Sequence, residues 1–178
     1  MTTRAEWLAS QSKRFDETKA KLAGKLGADA FTTTVFRDNY RFIAESGKVF
    51  AVLEFLFHDG FDMLSELGGA DYLNYPDAKD RYGVWYILLN TTTGQRVIVK
   101  TFANDPEPKL PSVFRLWKGS DWMEREVYDM YGVIFEGHPD LRRILLPDDF
   151  ASFPLRKDYP LRGKGERHNF TTLTRAES

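Results

Sequence analysis

The fold is decided by one stretch of sequence, RYGVWYILL-NTTTG-QRVIVKTF, which occupies residues 81–102. Both flanks are rich in β-branched and aromatic side chains, which favour strands. The polar linker from Asn90 to Gly94 between them is typical of a hairpin loop. The stretch therefore predicts two neighbouring antiparallel strands.

The sequence before this hairpin predicts a helical layer and three further extended segments. The predicted elements are an amphipathic helix at 4–26, strands at 31–36 and 40–43, a buried helix at 48–58 and a weaker extended stretch at 61–75. The order is helix, two strands, helix, three strands. Such an order packs most simply as helices on one mixed or antiparallel sheet, so we expect an α+β, two-layer domain.

The sequence after the hairpin is irregular. Prolines at 106, 108 and 111 predict a stiff connector, because proline removes backbone donors. Asp121 and Glu124 have the spacing of a capping box, which predicts a short helix over 122–131 that ends at Gly132. Prolines at 139, 147, 154 and 160 then predict an extended tail. We therefore divide the chain into a core domain at 1–104, a connector and motif helix at 105–137, and a partner-binding tail at 138–178.

Composition excludes several classes of function. The chain has no cysteine, which rules out disulfides, thiolate zinc sites and Cys-ligated iron–sulfur clusters within it. Its 25 basic and 26 acidic residues give no overall field that favours nucleic acid. The longest apolar run, at 49–57, is too short to span a bilayer. We expect a cytosolic protein, or one held at a membrane only by partners.

The charged residues of the predicted motif helix invite a catalytic interpretation. Glu124 and Glu126 are two residues apart and point about 200° apart on a helix, so they cannot form a catalytic pair. Arg125 and Asp129 have i,i+4 spacing, which favours an ion-paired helix face. His138 is interpreted as a turn residue whose ring binds a carboxylate or a backbone carbonyl. A stand-alone acid–base enzyme that uses Glu124, Asp129 and His138 remains the alternative.

Basic pairs in the tail favour a protein partner over nucleic acid. Arg142-Arg143 and Arg156-Lys157 are interleaved with Asp140 and Asp158, which cancels the long-range field that phosphate binding requires. Arginine forks beside carboxylates and aliphatic side chains suit a protein interface. The predicted interface comprises Glu124, Arg125, Glu126, Tyr128, Asp129, His138, Asp140, Arg142, Arg143, Arg156, Lys157, Asp158 and Tyr159. We expect Arg142→Ala and Arg143→Ala to disturb assembly more than folding of the chain alone.

Three motifs carry a resemblance to a known family. They are ERE-x-YDM-x-G at 124–132, GHPDLRRIL at 137–145 and PLRKDYP at 154–160. In this order and spacing they resemble the 30 kDa subunit of proton-translocating NADH:quinone oxidoreductase, or respiratory complex I. Two positions depart from the family's usual pattern: Ser152 replaces a glycine and Phe150 a tryptophan.

The resemblance implies a non-catalytic structural subunit that supports the quinone-reducing module in the hydrophilic arm of the complex. The whole complex would transfer electrons from NADH to quinone, with no activity in the isolated chain. The family's tail is expected to pack on the 49 kDa-type subunit and on neighbouring iron–sulfur subunits, at the cytoplasmic side of the cell membrane. No cofactor is expected in this chain, since FMN and the iron–sulfur clusters belong to partners. Ferredoxin-dependent and hydrogenase-type complexes contain an equivalent subunit, and this alternative stays open.

Overall fold

The computed structural model describes residues 3–169, without the side chains of residues 167 and 169. The elements are α1 Arg4–Leu26, β1 Thr32–Phe36, β2 Asn39–Ile43, α2 Ser46–His58, β3 Met63–Asp71, β4 Tyr82–Asn90, β5 Gln95–Ala103, β6 Lys109–Pro111, α3 Ser120–Tyr131, β7 Ile134–Glu136 and a final 3₁₀ turn at Glu166–Asn169. The predicted order of helix, two strands, helix and three strands is confirmed. No helix within residues 3–169 combines the length and apolar character that crossing a membrane requires.

Five strands form one mixed sheet in the order β1-β2-β5-β4-β3. The pairs are antiparallel except β2 and β5, which run parallel. The hairpin of β4 and β5 forms the centre, with Trp85 opposite Lys100 and Ile87 opposite Ile98. The predicted α+β class with a mixed sheet is therefore correct.

The period of two along the central strands separates the two faces of the sheet. On β4 and β5, Tyr86, Leu88, Val97 and Val99 are fully buried in the main hydrophobic cluster. The helices add to that cluster, with Leu22 from α1 and Val49, Val52, Leu53 and Leu56 from α2. The intervening side chains of β4 and β5 lie on the opposite face.

The main core continues beyond residue 104. Leu110, Val113, Trp117, Val127 and Phe135 are all buried in the same cluster as the sheet. The Trp117 indole also donates to the carbonyl of Phe61 at 3.1 Å, which ties this region to the short segment between α2 and β3. The division of the chain at residues 104 and 105 stays a prediction.

The proline-rich connector contains a strand that the sequence did not reveal. β6 begins directly after Pro108, ends at Pro111 and pairs in parallel with β7, with Leu110 opposite Phe135. The amide of Ile134 also donates to the carbonyl of Pro108 at 2.8 Å. Proline lacks a donor but keeps its carbonyl, so the connector can accept from a strand that lies much later in the chain.

The predicted capping box at the start of α3 is wrong. The helix begins at Ser120, its N-cap is Gly119, and no side chain caps it. Asp121 lies inside the first turn, and the Glu124 carboxylate is bound by residues before the helix. The predicted end is correct, because Gly132 adopts a left-handed φ of 75° and its amide donates to the carbonyl of Tyr128. A capping box that was not predicted, Thr3 with Glu6, starts α1.

Candidate partner interface

The charged side chains of α3 do not face solvent as one group. Glu124 is fully buried and accepts hydrogen bonds from the Ser112 hydroxyl at 2.6 Å and the Val113 amide at 2.7 Å. Burial raises the pKa of Glu124, and the two hydrogen bonds oppose this effect without cancelling it. Glu126 is exposed, so the two carboxylates point apart, as the angular argument predicted. Glu124 thus anchors α3 to the connector.

Asp129 organises the start of the C-terminal segment, which we define as residues 138–169. Its buried carboxylate accepts from the Arg143 guanidinium at 2.7 Å. The other oxygen accepts from the amides of Ile144, Leu145 and Leu146 at 3.1, 2.8 and 2.9 Å. Burial alone would raise the pKa of Asp129, but these four donors outweigh burial and lower it.

The predicted ion pair between Arg125 and Asp129 is therefore wrong. Arg125 instead donates to the carbonyls of Arg142 and Arg143, at 3.2 and 3.1 Å. The i,i+4 spacing indicated a partner within the helix, but both side chains bind the segment that lies across it. Arg142 itself is exposed, and its only side-chain ion pair within residues 3–169 is with Asp140, two residues away.

Arg143 is enclosed by the segment it helps to hold. Besides Asp129, it donates to the carbonyl of Ser152 at 3.0 Å, and its guanidinium lies 5.2 Å from the centre of the Phe153 ring. Ser152 is the position where the family usually has glycine, and only its backbone carbonyl is needed for this contact. The side chain of Arg143 is 12% exposed, so it is a structural residue of this chain.

A second ionic cluster fixes the far part of the segment to the sheet. Arg81 donates to the buried Asp71 at 3.2 Å and to Asp158 at 2.7 Å, and it also pairs with Asp105. Asp71 accepts in addition from the Lys157 amide at 2.8 Å. Desolvation opposes the charge of Arg81, yet the hydrogen bonds to three carboxylates raise its pKa, and the contact with Arg81 lowers the pKa of Asp158.

The backbone at the end of α3 leaves room for Arg156. This side chain donates to the carbonyl of Tyr131 at 2.6 Å and lies between the Phe153 and Tyr82 rings, 4.5 and 5.1 Å from their centres. A Cβ atom at Gly132 would lie 2.5 Å from the Arg156 guanidinium and 2.6 Å from the Phe153 ring. Gly132 therefore serves both the left-handed turn and the close approach of the segment.

The remaining predicted interface residues have local roles. The His138 ring is buried, and its Nδ1 accepts from the Asp140 amide at 3.1 Å while Nε2 lies 3.2 Å from the carbonyl of Asp121. His138 is thus a turn residue bound to backbone, as predicted. Tyr128 is half-buried against Phe153. The Tyr159 hydroxyl donates to Glu166 at 3.0 Å.

The surface that remains exposed around these networks includes large apolar side chains among charged ones. Trp122 is 71% exposed and Leu145 is 62% exposed, and both line a shallow groove next to α3. Leu155 and Leu161 extend the exposed apolar surface along the C-terminal segment. The sequence indicated aliphatic contacts at 144–146, but the predicted interface contained the charged residues. We call the exposed surface formed by Trp122, Leu145 and Leu155 the apolar rim.

The geometry offers little to a catalytic interpretation. The side chains of Glu124, Asp129 and His138 are all without exposed surface. Glu124 and His138 are 4.0 Å apart, whereas Asp129 belongs to the separate network around Arg143. A substrate therefore has no access to the three groups in this conformation. Within residues 3–169, no group of three His, Cys, Asp or Glu side chains has the geometry to hold a metal ion.

Comparison with protein families gives a match over most of the chain. The family described as "Respiratory-chain NADH dehydrogenase, 30 Kd subunit" matches residues 42–165. The chain belongs to this family. The match begins near the end of β2 and includes α2, β3 to β7, α3 and nearly all of the C-terminal segment.

Relatives in the 30 kDa subunit family are named as parts of the same complex. NADH-quinone oxidoreductase subunit 5 of Thermus thermophilus is 46% identical over 108 residues, which are 57% of this chain and 52% of the relative. A NADH-quinone oxidoreductase subunit of Laribacter hongkongensis is 36% identical over 156 residues, 85% of this chain and 80% of the relative. The chain thus aligns with about half the length of the Thermus relative.

Two solved structures share the fold of this 30 kDa family member. A trypsin-resistant fragment of Nqo5, residues 1–134, superimposes with a TM-score of 0.63 and 30% identity, and the match covers 74% of this chain and 99% of the fragment. A chain of the membrane-bound sulfane sulfur reductase, an archaeal respiratory membrane complex, gives a TM-score of 0.72 over 91% of this chain and 94% of that chain. At 23% identity, the second match shows the fold alone.

Proposed function

We propose that the chain is a structural subunit of a proton-translocating NADH:quinone oxidoreductase and that its apolar rim docks a partner subunit. The family match and the names of the relatives support the complex. One observation carries the docking role. The most strongly bound ionic groups pair with each other within the chain, whereas Trp122 and Leu145 remain exposed and free to contact a partner. Exposed aromatic and aliphatic side chains beside charged groups are the usual anchors of a protein interface.

The proposal also covers the partner subunits of the chain, its location in the cell and the cofactors of the complex. The chain would contact the 49 kDa-type subunit and neighbouring iron–sulfur subunits, and it would lie peripherally at the cytoplasmic side of the cell membrane. It would carry no cofactor of its own, with FMN and the iron–sulfur clusters in the partners. The absence of cysteine from the 178 residues supports this division of labour. The isolated chain would have no oxidoreductase activity.

Co-purification tests the proposal directly. A tagged chain expressed in its own cells should bring down iron–sulfur and 49 kDa-type subunits together with NADH:quinone activity. The tagged chain purified alone should contain neither iron nor flavin in stoichiometric amount. Recovery of the chain free of every such subunit would contradict the proposal, as would turnover of a redox substrate by the pure chain.

A double variant tests the apolar rim. Trp122→Ala with Leu145→Ala should lower recovery of the partner by about tenfold or more, because buried aromatic anchors dominate interface energies. The matched control is Trp7→Ala with Val35→Ala, which truncates an exposed indole and an exposed aliphatic side chain elsewhere. Equal recovery with both double variants would show that the rim does not dock the partner.

A further inference from the structure

The five-stranded sheet has a second face that carries its own apolar surface. On β4 and β5 this face presents Trp85, Ile87 and Ile98, which alternate with the buried residues of the core. Ile87 and Ile98 are directly opposite one another in the antiparallel register. Each of these side chains is half-buried, so a part of each stays exposed on this face.

A shallow depression of about 270 Å³ lies at the centre of this face. It is lined by Tyr72, Trp85, Ile87 and Ile98 together with Arg41 and Lys100. The parallel pairing of β2 with β5 places Arg41 beside Ile98, so the cationic and apolar side chains form one continuous surface. We call this surface the open sheet face.

The charges of the open sheet face are almost all of one sign. Lys100 is bound to the Tyr72 hydroxyl at 2.8 Å, Arg96 donates to the Asn39 side chain at 3.0 Å, and Arg41 lies over the ring of Phe36. These partners are neutral.

Within residues 3–169, no carboxylate lies within ion-pair distance of Arg41, Arg96 or Lys100. Glu66 lies at the edge of the face, where it accepts from the Trp85 indole at 3.2 Å. A chain with net charge −1 therefore has three uncompensated cations on one apolar face.

The three cations and the apolar centre of the open sheet face together indicate which kind of partner would bind there. A second copy of this chain packed face to face would place the same three cations opposite one another, and such like-charge contacts cost several kcal/mol. An anionic bilayer requires apolar side chains that project into the lipid interface, whereas those of the open sheet face are recessed. A different polypeptide with carboxylates around an apolar centre satisfies both the shape and the charge.

We propose that the open sheet face docks a partner protein surface that presents aspartate or glutamate side chains around an apolar patch. This interface is separate from the apolar rim beside α3, and it rests on the proposed function in that the partner is a subunit of the same complex. Arg41, Arg96 and Lys100 form ion pairs with the partner's carboxylates, and Ile87 and Ile98 lose their remaining exposure.

Chemical labelling of the purified complex tests the contact without altering the chain. Lys100 should be acetylated about tenfold more slowly in the complex than in the free chain, because burial under a partner excludes the reagent. Lys13, exposed on α1, serves as the reference amine. A carbodiimide should couple Lys100 to an aspartate or glutamate of another subunit, which peptide mass spectrometry identifies. Equal acetylation of Lys100 in both states would overturn the proposal.

Charge reversal supplies the second arm. Arg41→Glu with Arg96→Glu should reduce partner recovery by about tenfold or more, since each reversal sets a carboxylate against a carboxylate. Lys13→Glu with Lys19→Glu gives the same change in net charge on the exposed side of α1 and should leave recovery unchanged. If the Arg41/Arg96 variant fails to fold by circular dichroism, the acetylation result on the natural chain decides.

The remaining outcomes are distinguishable. Carbodiimide coupling between two copies of this chain would overturn the proposal in favour of a homodimer, and binding of the chain to vesicles of anionic lipid that Arg41→Glu abolishes would overturn it in favour of a membrane. If the complex forms while Lys100 stays fully reactive, the open sheet face is not an interface, but the proposed function is not contradicted. If the natural chain recovers no partner subunit, both the docking proposal and the proposed function are contradicted.

Discussion

The central sheet and the C-terminal segment are held in place by different interactions. The sheet combines a continuous backbone ladder with fully buried side chains such as Leu88 and Val99, so its stability is spread over many contacts. The segment instead depends on a few ionic anchors, chiefly Asp129 and Asp71. Loss of a methyl group in the sheet should therefore lower the stability of the whole domain slightly, whereas loss of one carboxylate can detach the C-terminal segment from the domain.

The largest expected effect follows from removing such an anchor. Asp129→Ala leaves the Arg143 guanidinium and three backbone amides without their acceptor, and breaking a buried ion pair costs about 3–5 kcal/mol. Because the segment can detach while the sheet remains, the loss should appear as local opening. Hydrogen exchange should show residues 138–169 unprotected and β4–β5 still protected. Uniform loss of protection in both regions would contradict the proposed independence of the two.

A core truncation should give the opposite pattern. Leu88→Ala removes a fully buried side chain and should lower the free energy of unfolding by about 2–5 kcal/mol in one cooperative transition. Urea unfolding followed by fluorescence measures it, with Leu161→Ala as the exposed control of identical chemistry. If Leu88→Ala opened the C-terminal segment but left the stability of the sheet unchanged, the contrast between the regions would not hold.

The sheet was the more predictable of the two regions. Its strands follow from alternating side chains and its central hairpin from the polar loop at Asn90–Gly94, both of which are local signals. β6 and β7 were missed because three-residue strands leave no period to detect. The capping box at Asp121 and Glu124 was predicted wrongly for another reason. The spacing was right, but the carboxylate of Glu124 binds Ser112, twelve residues earlier, and so does not cap the helix.

The candidate site was predictable in place but not in detail. Motif order located the family and the region, and it correctly placed His138 in a backbone-bound turn. Which charged side chains face inward depends on how the C-terminal segment crosses α3. The i,i+4 spacing predicted an ion pair between Arg125 and Asp129, but both side chains bind the segment instead. Trp122 was overlooked because exposure cannot be read from one residue in an amphipathic helix.

A glycine substitution tests how closely the segment approaches the helix. Gly132→Ala should cost about 1–2 kcal/mol for the left-handed backbone and should also displace the Arg156 and Phe153 side chains. Gly94→Ala is the matched control, since its φ of 68° imposes a similar strain with nothing within 4 Å of the new Cβ. The difference in unfolding free energy between the variants measures the contact itself. Equal losses would mean that the segment does not need the space.

Acidification should release the segment before it unfolds the sheet. The pKa of Asp129 is lowered in the folded chain, so its contribution is present above the unfolded value of about 3.9 and is lost as the pH falls through the folded pKa. The raised pKa of Glu124 acts in the opposite sense, and its contribution is largest at low pH. Hydrogen exchange corrected for intrinsic rates should therefore show protection of residues 138–169 falling below about pH 4. Asp129→Asn should flatten this dependence, and an unchanged profile would exclude Asp129 as its source.

The smallest effect on folding is expected at the neighbour of the buried arginine. Arg142 and Arg143 were both expected from the sequence to affect assembly more than folding, but the structure separates them. The Arg142 side chain is 69% exposed, and its one ion pair among residues 3–169 is with the exposed Asp140, so Arg142→Ala should change the free energy of unfolding by less than about 1 kcal/mol. Arg143→Ala removes the partner of Asp129 and should release the segment as Asp129→Ala does. If Arg142→Ala lowers partner recovery while its unfolding curve matches the natural chain, Arg142 acts at the interface; a loss of stability equal to that of Arg143→Ala would assign both arginines to the fold.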